Sequence, residues 1–242
     1  MKMRILNLLS AAMVLVAASS ANAALIAYWD QNSNSLPAGG FGFETTDFPQ
    51  AADQGAGALT LIDFDTTAAS GAYTTIQSFS GSTVNAQPTI ASGGSLSPQG
   101  GNDLGGGVYS NNGMSIVLEV STVGYEDILV SWAQRGTSTG FASRAFSYST
   151  DGVTYSLFDT DLGTLGSSFV TESYDLSAIA AVEGASSVFF KITLDGATSA
   201  TGNNRFDNIT VEGTVIPEPG SALLVLLGTT FASTVALRSR LG

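Results

Sequence analysis

The chain has no cysteine and no histidine, and its 242 residues hold only 8 Lys and Arg against 20 Asp and Glu. Without Cys there is no disulfide framework, no thiol nucleophile and no thiolate zinc or iron–sulfur site. Without His there is no Ser-His-Asp triad, no imidazole metal cage and no side chain that ordinarily titrates near neutrality. The formal charge of −12 repels phosphate backbones and anionic lipid, which argues against a nucleic-acid partner. The length suits a single β domain with targeting segments at its ends.

What is present is sharpest at the two ends. Met1-Lys2-Met3-Arg4 is a short positive start, followed by an apolar run from Ile5 to Ala18 and the small residues Ser19-Ser20-Ala21-Asn22-Ala23. Ala21 and Ala23 stand as an A-x-A site, so residues 1–23 read as a secretory signal peptide cut after Ala23. At the other end, residues 220–237 are predominantly apolar and end on Arg238-Ser239-Arg240. Eighteen helical residues span roughly 27 Å, enough for a thin hydrocarbon core. The arginines would hold that end on the cytoplasmic side, leaving the rest of the chain outside. Pro217-Glu218-Pro219 precedes the helix, and its prolines keep the tripeptide extended.

Val215-Ile216-Pro217-Glu218-Pro219-Gly220-Ser221, the apolar helix and the basic end together resemble the PEP-CTERM sorting signal, over residues 215–242. The basic end has two arginines rather than a longer cluster. The resemblance implies that an exosortase-type transpeptidase in the membrane reads Pro217, Glu218 and Pro219 and removes the tail. It also implies a Gram-negative host that exports polysaccharide and builds biofilm or floc. The expected route is an inner-membrane-anchored precursor that ends at the cell surface or in the extracellular matrix. The signal gives an address and not an activity.

Between Ala24 and Ile216 only Arg135, Arg144, Lys191 and Arg205 are cationic, against 19 of the 20 acids, for a net charge of −15. Such a balance favours solubility outside the cell and also suits calcium, which takes carboxylate and carbonyl oxygens. The pattern over residues 24–214 is β throughout. Leu59 to Phe64, Tyr73 to Phe79 and Met114 to Val120 are short runs bounded by Gly, Ser, Thr and Asn. Met114, Ile116, Leu118 and Val120 alternate onto one face, as do Ile128, Val130 and Trp132, and Val188, Phe190, Ile192 and Leu194. Phe146 with Tyr148, and Tyr155 with Leu157, flank an Asp151-Gly152 turn. Residues 176–182 hold at most one turn of helix. Residues 80–113, rich in Gly, Ser, Asn and Pro, read as a long exposed loop. Their glycines lack the strand–helix context of a phosphate cradle. The expected fold is all-β, a two-sheet jelly-roll-type β-sandwich, flanked by the signal peptide and the transmembrane sorting helix.

A second resemblance covers roughly residues 114–212. Val130-Ser131-Trp132-Ala133-Gln134-Arg135-Gly136, Phe146-Ser147-Tyr148-Ser149-Thr150-Asp151-Gly152, Tyr174-Asp175-Leu176-Ser177 and Gly202-Asn203-Asn204-Arg205-Phe206-Asp207-Asn208-Ile209 look like the carbohydrate-binding-module-like jelly rolls of secreted bacterial proteins. In such folds an Asp opening the last strand often ligates a structural calcium. The matching position is Asp207, beside Asn208, with Asp30 and Glu44 as candidates from the first strands. By alternation Asp207 falls in phase with Ile209 and Val211, which would start the inward-facing row with a carboxylate that needs a partner. Calcium is one partner; Arg205 or a cap on the Gly202-Asn203-Asn204 turn is the other.

No pair of carboxylates is marked out for glycosidase chemistry, and Lys191, facing away from Phe190 and Ile192, suits a solvated sheet face better than a Ser-Lys centre. Trp132 reads as core, while Trp29, Tyr28, Tyr109, Tyr125 and Phe141 read as packing over the sandwich edges, and no aromatic strip stands out for sugar stacking. The sequence therefore points to an exported surface protein without enzyme activity, a structural or adhesive component of exopolysaccharide. A calcium-dependent carbohydrate-binding module is the first alternative and a secreted polysaccharide hydrolase the second.

Overall fold

The structure is a computed structural model that describes residues 23–32, 42–66 and 72–217. Residues 1–22 of the expected signal peptide, the expected helix at 220–237, and Glu218 and Pro219 lie outside the described residues. Among the described residues no helix is long and apolar enough to cross a membrane.

The strands in chain order are β1 (Ala23–Trp29), β2 (Gly42–Glu44), β3 (Gln50–Ala51), β4 (Gln54–Gly55), β5 (Gly57–Ile62), β6 (Ala72–Ser78), β7 (Leu96–Pro98), β8 (Met114–Val120), β9 (Tyr125–Gly136), β10 (Ser143–Ser149), β11 (Ser156–Leu162), β12 (Val170–Asp175), β13 (Val188–Asp195) and β14 (Asn204–Val215). They form two antiparallel sheets. One runs β12-β9-β14-β7-β6-β2, with β1 also on β14 and β4 on β1; the other runs β11-β10-β13-β8-β5-β3. From β8 to β10 and again from β11 to β14 the chain crosses between the sheets at every connection, so neither half could bury its apolar face alone.

The core lies between the sheets. Ile116, Leu118, Phe190, Ile192, Leu194, Ile128, Val130, Trp132, Phe206, Ile209 and Val211 are all fully buried there, as the alternation of β8, β9 and β13 requires. Phe146 stacks on Tyr174 with ring centroids 4.2 Å apart, and Trp132 packs against both. Full burial of each such ring contributes on the order of 2–3 kcal/mol. The Leu176–Val182 stretch holds one 3-10 turn, Ala180–Val182.

Four expectations change, two of them because of β-bulges. In β14 the register slips between Asp207 and Thr210, and Asn208 takes a left-handed φ of +50°. Asp207 pairs with Ala133 and Thr210 with Ser131, while Trp132 and Val130 face the core. The bulge thus turns Asp207 onto the outer face, out of phase with Ile209 and Val211. In β11 a second slip, opposite Phe146 and Ser147, inserts Phe158 as the core-packing ring and leaves Leu157 exposed. Third, the 80–113 segment is not a free loop: it contains β7, whose Leu96 pairs with Phe206, and its first half lies across the outer face of the β9–β14 sheet. Trp29 and Phe141, expected at the edges, are core residues, 1% and 0% exposed.

Candidate functional site

Around Asp207 and Asn208 the structure builds a buried polar seam. Tyr28, Thr210 and Ser131 form one cross-strand row on the outer face of β1, β14 and β9, with Asp207 and Ala133 beside it. The segment 79–95 covers this surface. Asp207 Oδ2 accepts the Ser82 amide at 2.6 Å and Oδ1 accepts the Asn208 amide at 2.9 Å. Asn208 Oδ1 accepts the Tyr28 hydroxyl at 2.5 Å, and its Nδ2 donates to the Ser82 and Val84 carbonyls at 2.9 and 2.8 Å. Asn85, also left-handed at φ +59°, donates to the Asn208 carbonyl at 2.9 Å and the Ser131 hydroxyl at 3.1 Å. Asn tolerates this conformation because its short side chain bonds locally.

Burial, only partly offset by the two amides, pushes the Asp207 carboxyl up to about 7, and the Asp30 charge adds to the rise. Burial likewise pushes the Tyr28 hydroxyl up to about 12. Asp30 Oδ1 accepts the Asn32 amide, and its own backbone amide donates to Asp53 Oδ2; burial and the Asp53 charge hold its carboxyl above the ordinary value. Glu44 is exposed and forms a capping box with Asp47 around the Thr45–Asp47 turn. Of the four expected calcium ligands, then, Asp207 and Asn208 share the seam, Asp30 acts on it through its charge, and Glu44 serves a different turn. Arg205, the other suggested partner of Asp207, donates instead to the Ser80 carbonyl at 3.1 Å.

This donor set does not fit calcium. Both Asp207 oxygens and the Asn208 side-chain oxygen already accept hydrogen bonds, and among the described residues no group of three or more acidic side chains gathers as a metal site. A six- to eight-oxygen shell would have to dismantle the seam.

Two further features were not legible in the sequence. Arg144 points inward from β10, 2% exposed, and both Nε and Nη2 reach Asp161 Oδ2, at 2.9 and 2.6 Å. Its remaining donors go to the Phe141 and Gly163 carbonyls. Gln134 joins this group to the other sheet, donating to Glu172 at 2.9 Å and to Asp161 at 3.4 Å, and accepting the Trp132 indole N–H at 3.2 Å. Two carboxylates from edge strands β11 and β12 thus share one amide, and burial together with Asp161 raises the Glu172 carboxyl. The second feature is an open cleft of about 620 Å³ lined by Leu25, Ile26, Gly57, Val120 and Val123, with Glu119, Ser121, Tyr125 and Ser187 among its polar walls. Ser187 donates to Glu119 at 3.1 Å. An apolar floor with a few fixed polar groups is the common form of a small-ligand site.

Pro217 lies exposed just beyond β14, and Ala23 opens β1 opposite Thr214. Ala21 is outside the described residues.

No protein-family model and no curated protein matches the chain. Among solved structures it is similar to the carbohydrate-binding module TmCBM61 in complex with β-1,4-galactotriose, at 8% identity and a TM-score of 0.38 over 63% of this chain and 86% of that one. It is also similar to the K1 adhesin domain of Lys-gingipain from Porphyromonas gingivalis W83, at 10% identity and 0.41 over 64% and 90%. A third is a family 35 carbohydrate-binding module from an environmental isolate, at 16% and 0.34 over 66% and 99%.

Proposed function

We propose that this chain is an exported jelly-roll-type sandwich, without catalysis, that a signal peptide delivers and a PEP-CTERM-like tail presents to an exosortase-type transpeptidase. Its work is structural or adhesive, in contact with extracellular polysaccharide at the cell surface or in the matrix. The observation that carries the reading is the position of the two processing points. Ala23 pairs with Thr214 at one end of the β1–β14 ladder, and Ile216 makes the last backbone bond of the domain, to the Gly124 carbonyl. Pro217 is the next residue and is exposed. Both cuts would therefore fall at the rim of a finished sandwich, where neither removes a core residue. Pro217, the first residue of the proposed recognition tripeptide, stands exposed two positions after the end of β14, where a membrane enzyme could reach it.

Intact mass of the protein recovered from its native host tests this. A species running from Ala24 to about Pro217 is expected. Recovery of a chain that retains Leu223 to Gly242 overturns the processing step and leaves a membrane-anchored envelope protein.

One observation favours hydrolysis as a second reading: the Asp161–Glu172 pair, in which Arg144 neutralises one acid while burial raises the other, resembles the split roles of glycosidase carboxylates. Release of reducing sugar by the wild type, lost in Glu172→Gln, would establish it. A wild type without turnover on the host's own polysaccharide removes it.

A further inference from the structure

Arg135 and Arg205 are two of the four cations in residues 24–216, and the β9–β14 register sets them directly opposite each other on the outer face. Directly opposed like charges on adjacent strands repel. Each guanidinium lies over an aromatic ring, Arg205 over Phe79 at 4.7 Å and Arg135 over Phe169 at 5.6 Å, which yields a row Phe79–Arg205–Arg135–Phe169. Neither meets a carboxylate: among the described residues the ion pair is Arg144–Asp161 alone. Arg205 gives one hydrogen bond, to Ser80, while Nε of both arginines is buried without a partner. Asp207 stands two residues from Arg205, yet its carboxylate goes to the Ser82 amide. Burial and the Arg135 charge pull the Arg205 pKa down.

A chain with 20 acids could neutralise two adjacent arginines easily, and among the described residues none does. We propose that Arg135 and Arg205 form a clamp for the carboxylate of an acidic sugar, so that the bound polysaccharide is a uronate-bearing one. The inference rests on the polysaccharide reading above and names its ligand class. Planar guanidinium forks match a planar carboxylate by paired hydrogen bonds, and the flanking phenylalanines fix the forks while offering ring edges to sugar C–H groups.

The test uses protein recovered from the host and two probes of one backbone, polygalacturonate and its fully methyl-esterified form. The expected result is retention on polygalacturonate, weakened by salt, and none on the ester. Arg135→Gln and Arg205→Gln should each weaken retention at least tenfold. Arg205→Lys, which keeps charge but loses the fork, should fall between. Melting supplies the control, since removing one of two repelling charges should leave Tm unchanged or higher, whereas a purely structural arginine would lower it. Equal retention on the ester, or undiminished binding by a folded double variant, overturns the clamp. If the double variant loses polygalacturonate but stays in the host matrix, the clamp stands and the matrix is held elsewhere. If the wild type binds neither probe yet is sorted and retained in the matrix, the clamp falls and the surface role survives.

Discussion

At Asn208 the backbone turns left-handed, and one residue thereby does two things: it flips the phase of β14 and presents an amide side chain to the 79–95 segment. Replacing it separates these roles. Asn208→Gly keeps the φ but takes the acceptor from the Tyr28 hydroxyl proton and the donor from the Ser82 and Val84 carbonyls, at a cost of about 2–3 kcal/mol. Asn208→Ala adds backbone strain of about 1 kcal/mol. Urea titration of both variants should rank them in that order, and the reverse ranking would deny the left-handed turn. Asp207 adds a pH dependence with a defined sign. Its folded pKa of about 7 lies above the ordinary carboxylate value, so the native state holds the proton more tightly than the unfolded one. The contribution to stability is complete below about pH 4 and is lost as pH rises through 7. Tm measured from pH 4.5 to 8 should therefore fall more steeply for the wild type than for Asp207→Asn, which cannot titrate. Parallel curves would mean that the carboxylate is ionised throughout.

At the level of elements, the strands whose two faces differ were readable and the polar seam was not. β8 and β13 alternate without interruption, so Ile116, Leu118, Phe190 and Ile192 could be placed inside from the chain alone. A bulge leaves no comparable mark: Asp207, Ile209 and Val211 alternate in sequence, and only the pairing shows Asn208 as the extra residue. The 80–113 segment looked exposed because its composition is polar, yet Ser95 and Ser97 are fully buried. Their hydroxyls are satisfied by each other and by the Phe79 backbone, while Ser82 of the same segment bonds to Asp207 and Asn208 across the sheet, and periodicity carries no trace of either. The opposed arginines were visible only as scarce cations, since a register between β9 and β14 had to place them together. Gly81 tests the docked segment: a Cβ there would lie 2.0 Å from the Gly94 carbonyl oxygen and 2.5 Å from Asp207 Oδ2. Gly81→Ala should undock residues 79–95, at about 2–3 kcal/mol, while the inter-sheet core persists. Limited proteolysis should cut first between Ser80 and Gly94. Protection equal to the wild type would show that the segment is not held by this contact.

The whole molecule is an acidic sandwich whose first and last strands close on each other. β1 pairs with β14 from Ala23↔Thr214 to Trp29↔Ile209, so the two ends of the domain are neighbours in the sheet although 191 positions separate them in sequence. Burial along β1 is graded: Ala23 is exposed, Ala24 and Leu25 are partly covered, and Ile26 to Trp29 are buried. A cut after Ala23 removes one ladder pair at the rim, whereas a cut after Ala27 removes four of the six pairs with β14, along with the apolar contacts of Ile26 and Ala27. Large losses follow from opening a core and small ones from trimming a rim. A chain from Ala24 to Pro217 should therefore melt within a degree or two of one beginning at Met1. A chain from Tyr28 to Pro217 should lose at least about 3 kcal/mol, because Tyr28 and Trp29 lose the strand that anchors them and the Tyr28–Asn208 bond goes with it. Equal Tm for the two shortened chains would mean that β1 is dispensable. The sandwich would then have to be closed by β9 and β7 alone, and the pairing of Ala23 with Thr214 could no longer explain why both proposed processing points lie at its rim.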